Sequence, residues 1–219
     1  VTEGKQTKTQ EPMWPSVIAL AAAAALYIIM PDQLAIGPPW LLLAIVFGFM
    51  LPGEISHALG KHLICKLTGY AVLSIITLSM IVSVVLHVAA ISQHSLPPAR
   101  LLLSAIVLWI TNILVFACWY WRLDAGGPHK RSSRAGKHQG AFLFPQMTLA
   151  SSRHQQHDEY ENWAPQFIDY LFLSFNTSTA LSPTDVPTLS RWAKLLMMVQ
   201  ASISLTVIVL LAARAVNIL

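Results

Sequence analysis

Apolar runs of membrane-crossing length alternate with short polar breaks along most of this chain. Residues 14–30, WPSVIALAAAAALYIIM, form the first run, with Trp14 and Tyr27 as interfacial anchors and Pro31-Asp32 as a tight break. Residues 38–52 form a second run that is short for a full crossing at 1.5 Å per residue. The stretch that follows alternates polar and apolar positions at helical spacing, with Ile55, Leu59, Leu63 and Leu67 along one side. That pattern predicts an interfacial helix near 54–67, with Lys61 and Lys66 available for lipid phosphate. Residues 69–91 and 100–121 predict two ample spans, the latter closing on Trp119-Tyr120-Trp121 and Arg122, an aromatic belt at a charged boundary.

The pattern then changes. Residues 122–165 mix glycine, proline, histidine and charge over about 44 positions, far beyond an ordinary connection, which predicts a packed loop with a task. A short apolar segment, Phe167–Phe175, leads into the polar stretch NTSTALSPTDVP, and a last full span runs from about Trp192 to Leu219. Residues 1–13 are polar without a periodic apolar face and predict a tail. The expected organisation is therefore a tail, a four-span region over 14–121, a polar loop over 122–165, and a final unit over 166–219. The fold class is all-α: a polytopic transmembrane helical protein of about five spans plus a re-entrant segment.

Composition agrees: 55% hydrophobic and 11% charged residues, with a mean hydropathy of +0.57, lie far from soluble globular averages. The first apolar run is followed at once by others and lacks a small-residue cleavage pattern, so it reads as a retained helix and not a signal peptide. The net charge of +4 reflects a cluster, Lys130, Arg131, Arg134 and Lys137, in one loop. It speaks of membrane topology, not of nucleic acid. Cys65 and Cys118 are too few and too differently placed for a disulfide framework and read as packing residues. No nucleophile–base pairing, phosphate loop or dinucleotide fingerprint is present, so neither an enzyme nor a cofactor is expected.

The order of the last elements is informative. Irregular polar backbone is tolerated at membrane depth only where protein buries it or a water-filled cavity meets it. A half-length helix, a Thr/Ser-rich turn and a full helix is the layout of a re-entrant pore loop. Residues 170–219 resemble the pore helix, filter and inner helix of bacterial potassium-channel-like proteins. Thr177 and Thr179 stand at the threonine positions, Asp185 at the aspartate after the filter and Arg214 at the arginine near the inner-helix end. The resemblance implies a pore made by several copies of the chain, four by family expectation, passing inorganic cations across a bacterial inner membrane.

The filter itself departs from the family. Leu181, Ser182, Pro183 and Thr184 replace Val-Gly-Tyr-Gly. Glycine is needed there because alternate residues take positive φ to aim carbonyls inward, whereas proline fixes φ near −65°. The expectation is a wider mouth lined by the side chains of Thr177, Thr179, Ser182, Thr184 and Asp185, with Pro183 among them, or a relic pore that no longer conducts. A non-conducting accessory or scaffold subunit is the competing function, and Ser182-Pro183-Thr184-Asp185 also reads as a turn that caps the next helix.

Charge placement raises a conflict. A cytoplasmic amino terminus puts Lys5, Lys8, Lys61, Lys66 and the 122–137 cluster inside, with Arg100 and Arg214 outside. The pore-like segment then enters from the cytoplasm, as in ionotropic glutamate receptors and opposite to potassium channels. Either the arrangement is inverted or the short second span does not cross; the five-span, inverted arrangement is the expectation.

Other polar positions carry weaker signals. His154 and His157, with Asp158, Glu159 and Glu161, are a weak metal candidate, and a solvated charged loop is the better reading. Arg122 and Asp124 read as interfacial residues that pair with neighbours or headgroups. Thr111-Asn112, Gln200, Ser202 and Ser204 lie within spans, where interhelical hydrogen bonding is the default. Gln200 and Ser204, four apart, are also candidates for pore lining. Asp169 suits the N-terminal dipole of the short helix.

Overall fold

The computed structural model describes residues 12–35, 37–58, 62–93, 96–132, 140–151, 163–179 and 185–216. Among them the regular structure is helical, apart from one isolated antiparallel bridge between Phe142 and Thr188. The helices are α1 (Trp14–Leu26), α2 (Pro39–Ala58), α3 (His62–Gln93), α4 (Pro98–Leu123), α5 (Pro128–Ser132), α6 (Pro145–Ser151), α7 (Phe167–Thr179) and α8 (Arg191–Val216).

Segments Lys66–Ala90, Pro98–Gly126 and Arg191–Ala213 are long and apolar enough to cross a membrane, and Trp14–Ile29 and Pro39–Phe49 are shorter apolar helices. The chain thus has the build of a membrane protein. The 54–67 stretch is divided: residues up to Ala58 complete α2 and residues from His62 open α3. The helical spacing continues the flanking apolar runs, so Ile55 falls in α2 and Leu63 and Leu67 in α3, while Leu59 lies outside the described residues. With 32 residues, α3 is about 48 Å long, well beyond the hydrocarbon thickness.

Helix α4 stands at the centre, packed on α1, α3, α7 and α8. Lipid is as apolar as leucine, so association here rests on close packing and on polar contacts between helices. Both occur. Ala19, Ala23 and Ala24 of α1 are buried, which keeps its backbone near its neighbours, and Cys118 Sγ of α4 donates to Ser16 O at 3.8 Å. On the α3 side, Trp119 Nε1 donates to Thr77 Oγ1 at 2.9 Å and its ring stacks on Tyr70. Further along, Ser104 Oγ meets His87 Nδ1 at 3.2 Å, while Tyr27 joins Ser83 at 2.6 Å.

At its far end α4 is stopped by backbone conformation. Ala125, Gly126 and Gly127 take φ of 51°, 83° and 95°, left-handed values that interrupt a helix and that glycine adopts freely. The chain then crosses over the end of α4, and Phe142 and Phe144 are buried there. Phe142 meets Tyr120, Tyr170 and Trp192, and Phe144 meets Tyr170 and Trp163. This part of the long loop is therefore packed into an aromatic core.

Candidate functional site

The site is assembled on α7, 13 residues or about 20 Å of helix, too short to cross a bilayer. It opens beside the end of α4, where Phe167 meets Trp121 edge-on at 6.0 Å. In the first turn, Asp169 Oδ2 accepts the Gln166 N–H at 2.7 Å, which satisfies a donor the helix leaves open. Burial raises the Asp169 carboxyl above its ordinary pKa, while the Gln166 N–H and the charge of Arg131 act the other way. The helix is two-sided: Phe167, Tyr170, Leu173, Ser174, Thr177 and Ser178 are buried, whereas Ile168, Phe172, Phe175 and Thr179 are exposed.

The buried side ends in a polar web shared by three helices. Ser174 Oγ donates to Ile113 O of α4 at 2.7 Å. Gln200 Nε2 of α8 lies 2.9 Å from Ser174 O, 2.8 Å from Ser174 Oγ and 2.8 Å from Ser178 Oγ, three acceptors for its two protons. The Gln200 side-chain oxygen accepts from Tyr120 OH. Asn112 Nδ2 donates to Gln200 O at 3.3 Å, and Ser204 Oγ donates to Ser178 O at 2.6 Å. Ser178 O is one of the last four carbonyls of α7, which have no partner within their own helix, so Ser204 supplies what that end lacks. Asn112 Oδ1 and Thr111 Oγ1 are buried without a partner among the described residues.

The start of α7 is held by Asp124. Its carboxylate is 1% exposed and accepts the Ala141 N–H at 2.5 Å and Tyr170 OH at 2.6 Å. Arg131, also buried, lies over the Tyr170 ring at 5.0 Å and donates to the Trp121 and Asp124 carbonyls at 3.2 and 3.4 Å. Gly140 is needed there, since a Cβ would approach the Asp124 carboxylate oxygens to 3.0 and 3.2 Å. Asp124 is thus an anchor for loop and helix, buried in the protein and paired with neighbouring residues.

After α7 the chain returns to the level at which it started. Leu143 N donates to Pro187 O at 2.9 Å and Leu189 N to Ala141 O at 2.7 Å, and Trp192 then packs on Phe142. So α7 runs from beside Trp121 to beside Asn112, near the middle of α4, and by Thr188 the backbone is again beside Phe142.

The sequence-derived candidates distribute as follows. Thr177 is buried and its hydroxyl donates to Leu173 O at 2.8 Å; Thr179 is exposed and bonds back to Phe175 O at 2.9 Å; Asp185 is exposed. Gln200 and Ser204, candidates for lining a pore, have their side chains buried within the chain and engaged there, which is the interhelical alternative. Ser182, Pro183, Thr184, His154 and His157 lie outside the described residues, as does the side chain of Arg214. Ser174, Ser178, Tyr120, Tyr170 and Phe142 belong to the site without having been singled out from sequence. One signal pointed to the first two: serines four apart on α7 match Gln200 and Ser204, four apart on α8.

No family model, curated protein or solved structure matches the chain.

Proposed function

We propose that the chain is one subunit of a channel-like homo-oligomer, four copies around one axis, passing inorganic cations with low or altered selectivity along a path lined by the 177–185 segment. The observation that carries this reading is the course of α7: a half-length helix sinks to the middle of α4, and the chain returns within ten residues to its starting level. Its C-terminal end, the negative end of its dipole, lies near mid-depth, where it favours a cation. Thr179 and Asp185 offer exposed oxygens on either side of the turn. Ser182, Pro183 and Thr184 belong to the proposal on sequence alone.

Helix α8 suits a shared axis. Only 17% of its apolar window is buried within the chain, against 67% for α4, so α8 is the helix most available to neighbouring copies. Its exposed side carries the hydroxyls of Ser202 and Thr206 among apolar residues, and these replace Gln200 and Ser204 as candidates for facing water. A five-span course, with α1 and α2 also crossing, and residence in a bacterial inner membrane are parts of the same proposal.

Purified protein in planar bilayers tests it. Cation current is expected, and Asp185→Asn should roughly halve it at low ionic strength, because a carboxylate at a mouth concentrates cations and salt screens that effect. Silent bilayers from a correctly assembled tetramer would favour the non-conducting accessory or scaffold function.

A further inference from the structure

At the end of α4 away from Asp124, a cleft of about 320 Å³ opens between the turns after α1 and the first turns of α4. Two side chains of opposite charge line it, Asp32 and Arg100, together with the Gln33 amide. Asp32 and Arg100 are exposed, and neither side chain forms a hydrogen bond or ion pair with another described residue. They share one cleft without forming an ion pair. Its rim is apolar: Ile28, Ile29 and Leu103 are 45%, 54% and 48% exposed, on surface that a membrane helix turns to lipid. Beneath it, Leu34 and Met30 are fully packed, so the charged pair sits on a firm base.

We infer that this cleft binds the headgroup of a zwitterionic phospholipid bearing a primary ammonium. The guanidinium of Arg100 offers paired N–H donors that match phosphate oxygens. Asp32 and the Gln33 side-chain oxygen accept N–H bonds from an ammonium, and the acyl chains run along Ile28, Ile29 and Leu103. The chemistry selects among headgroups. A quaternary ammonium has no N–H to donate and is recognised by aromatic faces, and no aromatic side chain among the described residues lines this cleft. A headgroup with net negative charge satisfies Arg100 but brings its charge towards Asp32.

The test uses the full chain in vesicles of equal parts phosphatidylethanolamine, phosphatidylcholine and phosphatidylglycerol with identical acyl chains. The protein is re-extracted in mild detergent and its retained lipid is identified by native mass spectrometry. About threefold enrichment of phosphatidylethanolamine over each of the others is expected, the scale of exposed charge pairs. Asp32→Asn should remove the preference over phosphatidylcholine while leaving bound lipid, and Arg100→Gln should lower retention of all three. Both positions are exposed, so unchanged thermal melting serves as the folding control. Retention in the input ratio by the unaltered protein, or a preference that persists in Asp32→Asn, overturns the assignment.

Discussion

Gln200 joins three helices through one amide: Tyr120 of α4 donates to its oxygen while its nitrogen serves Ser174 and Ser178 of α7. Truncation would take the amide acceptor from the buried Tyr120 hydroxyl and the amide donor from the buried Ser174 and Ser178. Gln200→Ala is therefore expected to cost about 1–3 kcal/mol, read as a lowered melting temperature in detergent, because the stranded partners lose more than the bond itself was worth. A melting temperature equal to that of the parent would mean the web is incidental. The presence of Gln200 in an apolar helix was legible as a polar residue needing partners. Its direction was not, because α8 has apolar residues on all sides and periodicity alone does not say which side meets α7. Asp124 posed the same problem: it follows an aromatic belt and reads as interfacial, and only the crossing of Ala141 and Phe142 over it makes it internal.

Among the elements, α1 depends on small side chains. Ala19, Ala23 and Ala24 are buried whereas Ala25 is exposed, so the alanine run has an inner and an outer side. Ala23→Leu should destabilise the protein by about 1–3 kcal/mol through overpacking, and Ala25→Leu should leave it unchanged, by thermal melting of both. Equal melting of the two variants would mean that α1 does not pack as described. The three helices long and apolar enough to cross a membrane were legible, since long apolar runs between proline and glycine breaks leave few alternatives. The assignment of 54–67 to the ends of α2 and α3 was not: a stripe of Ile55, Leu59, Leu63 and Leu67 has the same period in a separate surface helix and in the ends of two longer helices. In the long loop, the packing of Phe142 and Phe144 was hidden because their partners, Tyr170 and Trp192, are distant in sequence.

For the whole molecule, the proposed assembly makes a concrete demand on α8. With the native cysteines replaced, Leu205→Cys on its exposed side should cross-link under oxidation into disulfide dimers, and a bifunctional amine reagent should give a ladder ending at four copies. A protein that stays monomeric at every concentration would end the shared-axis proposal. The resemblance that suggested such an assembly rested on Thr177, Thr179, Asp185 and Arg214 and on the order of a short helix, a polar turn and a long helix; of these elements the structure describes the two helices, α7 and α8.

The central position of α4 bears on how this protein can be divided. Its surface is committed twice, to α1 and α3 through Ser104, Cys118 and Trp119, and to α7 and α8 through Asn112, Ile113 and Tyr120. A shortened chain beginning at Pro98 would keep α4, α7 and α8 but strip one set of partners from α4, leaving the Trp119 indole N–H without its Thr77 acceptor. The part of the chain before Pro98 is thus a fixed jacket, and the unit it packs on is not a cassette that can be moved intact to another protein.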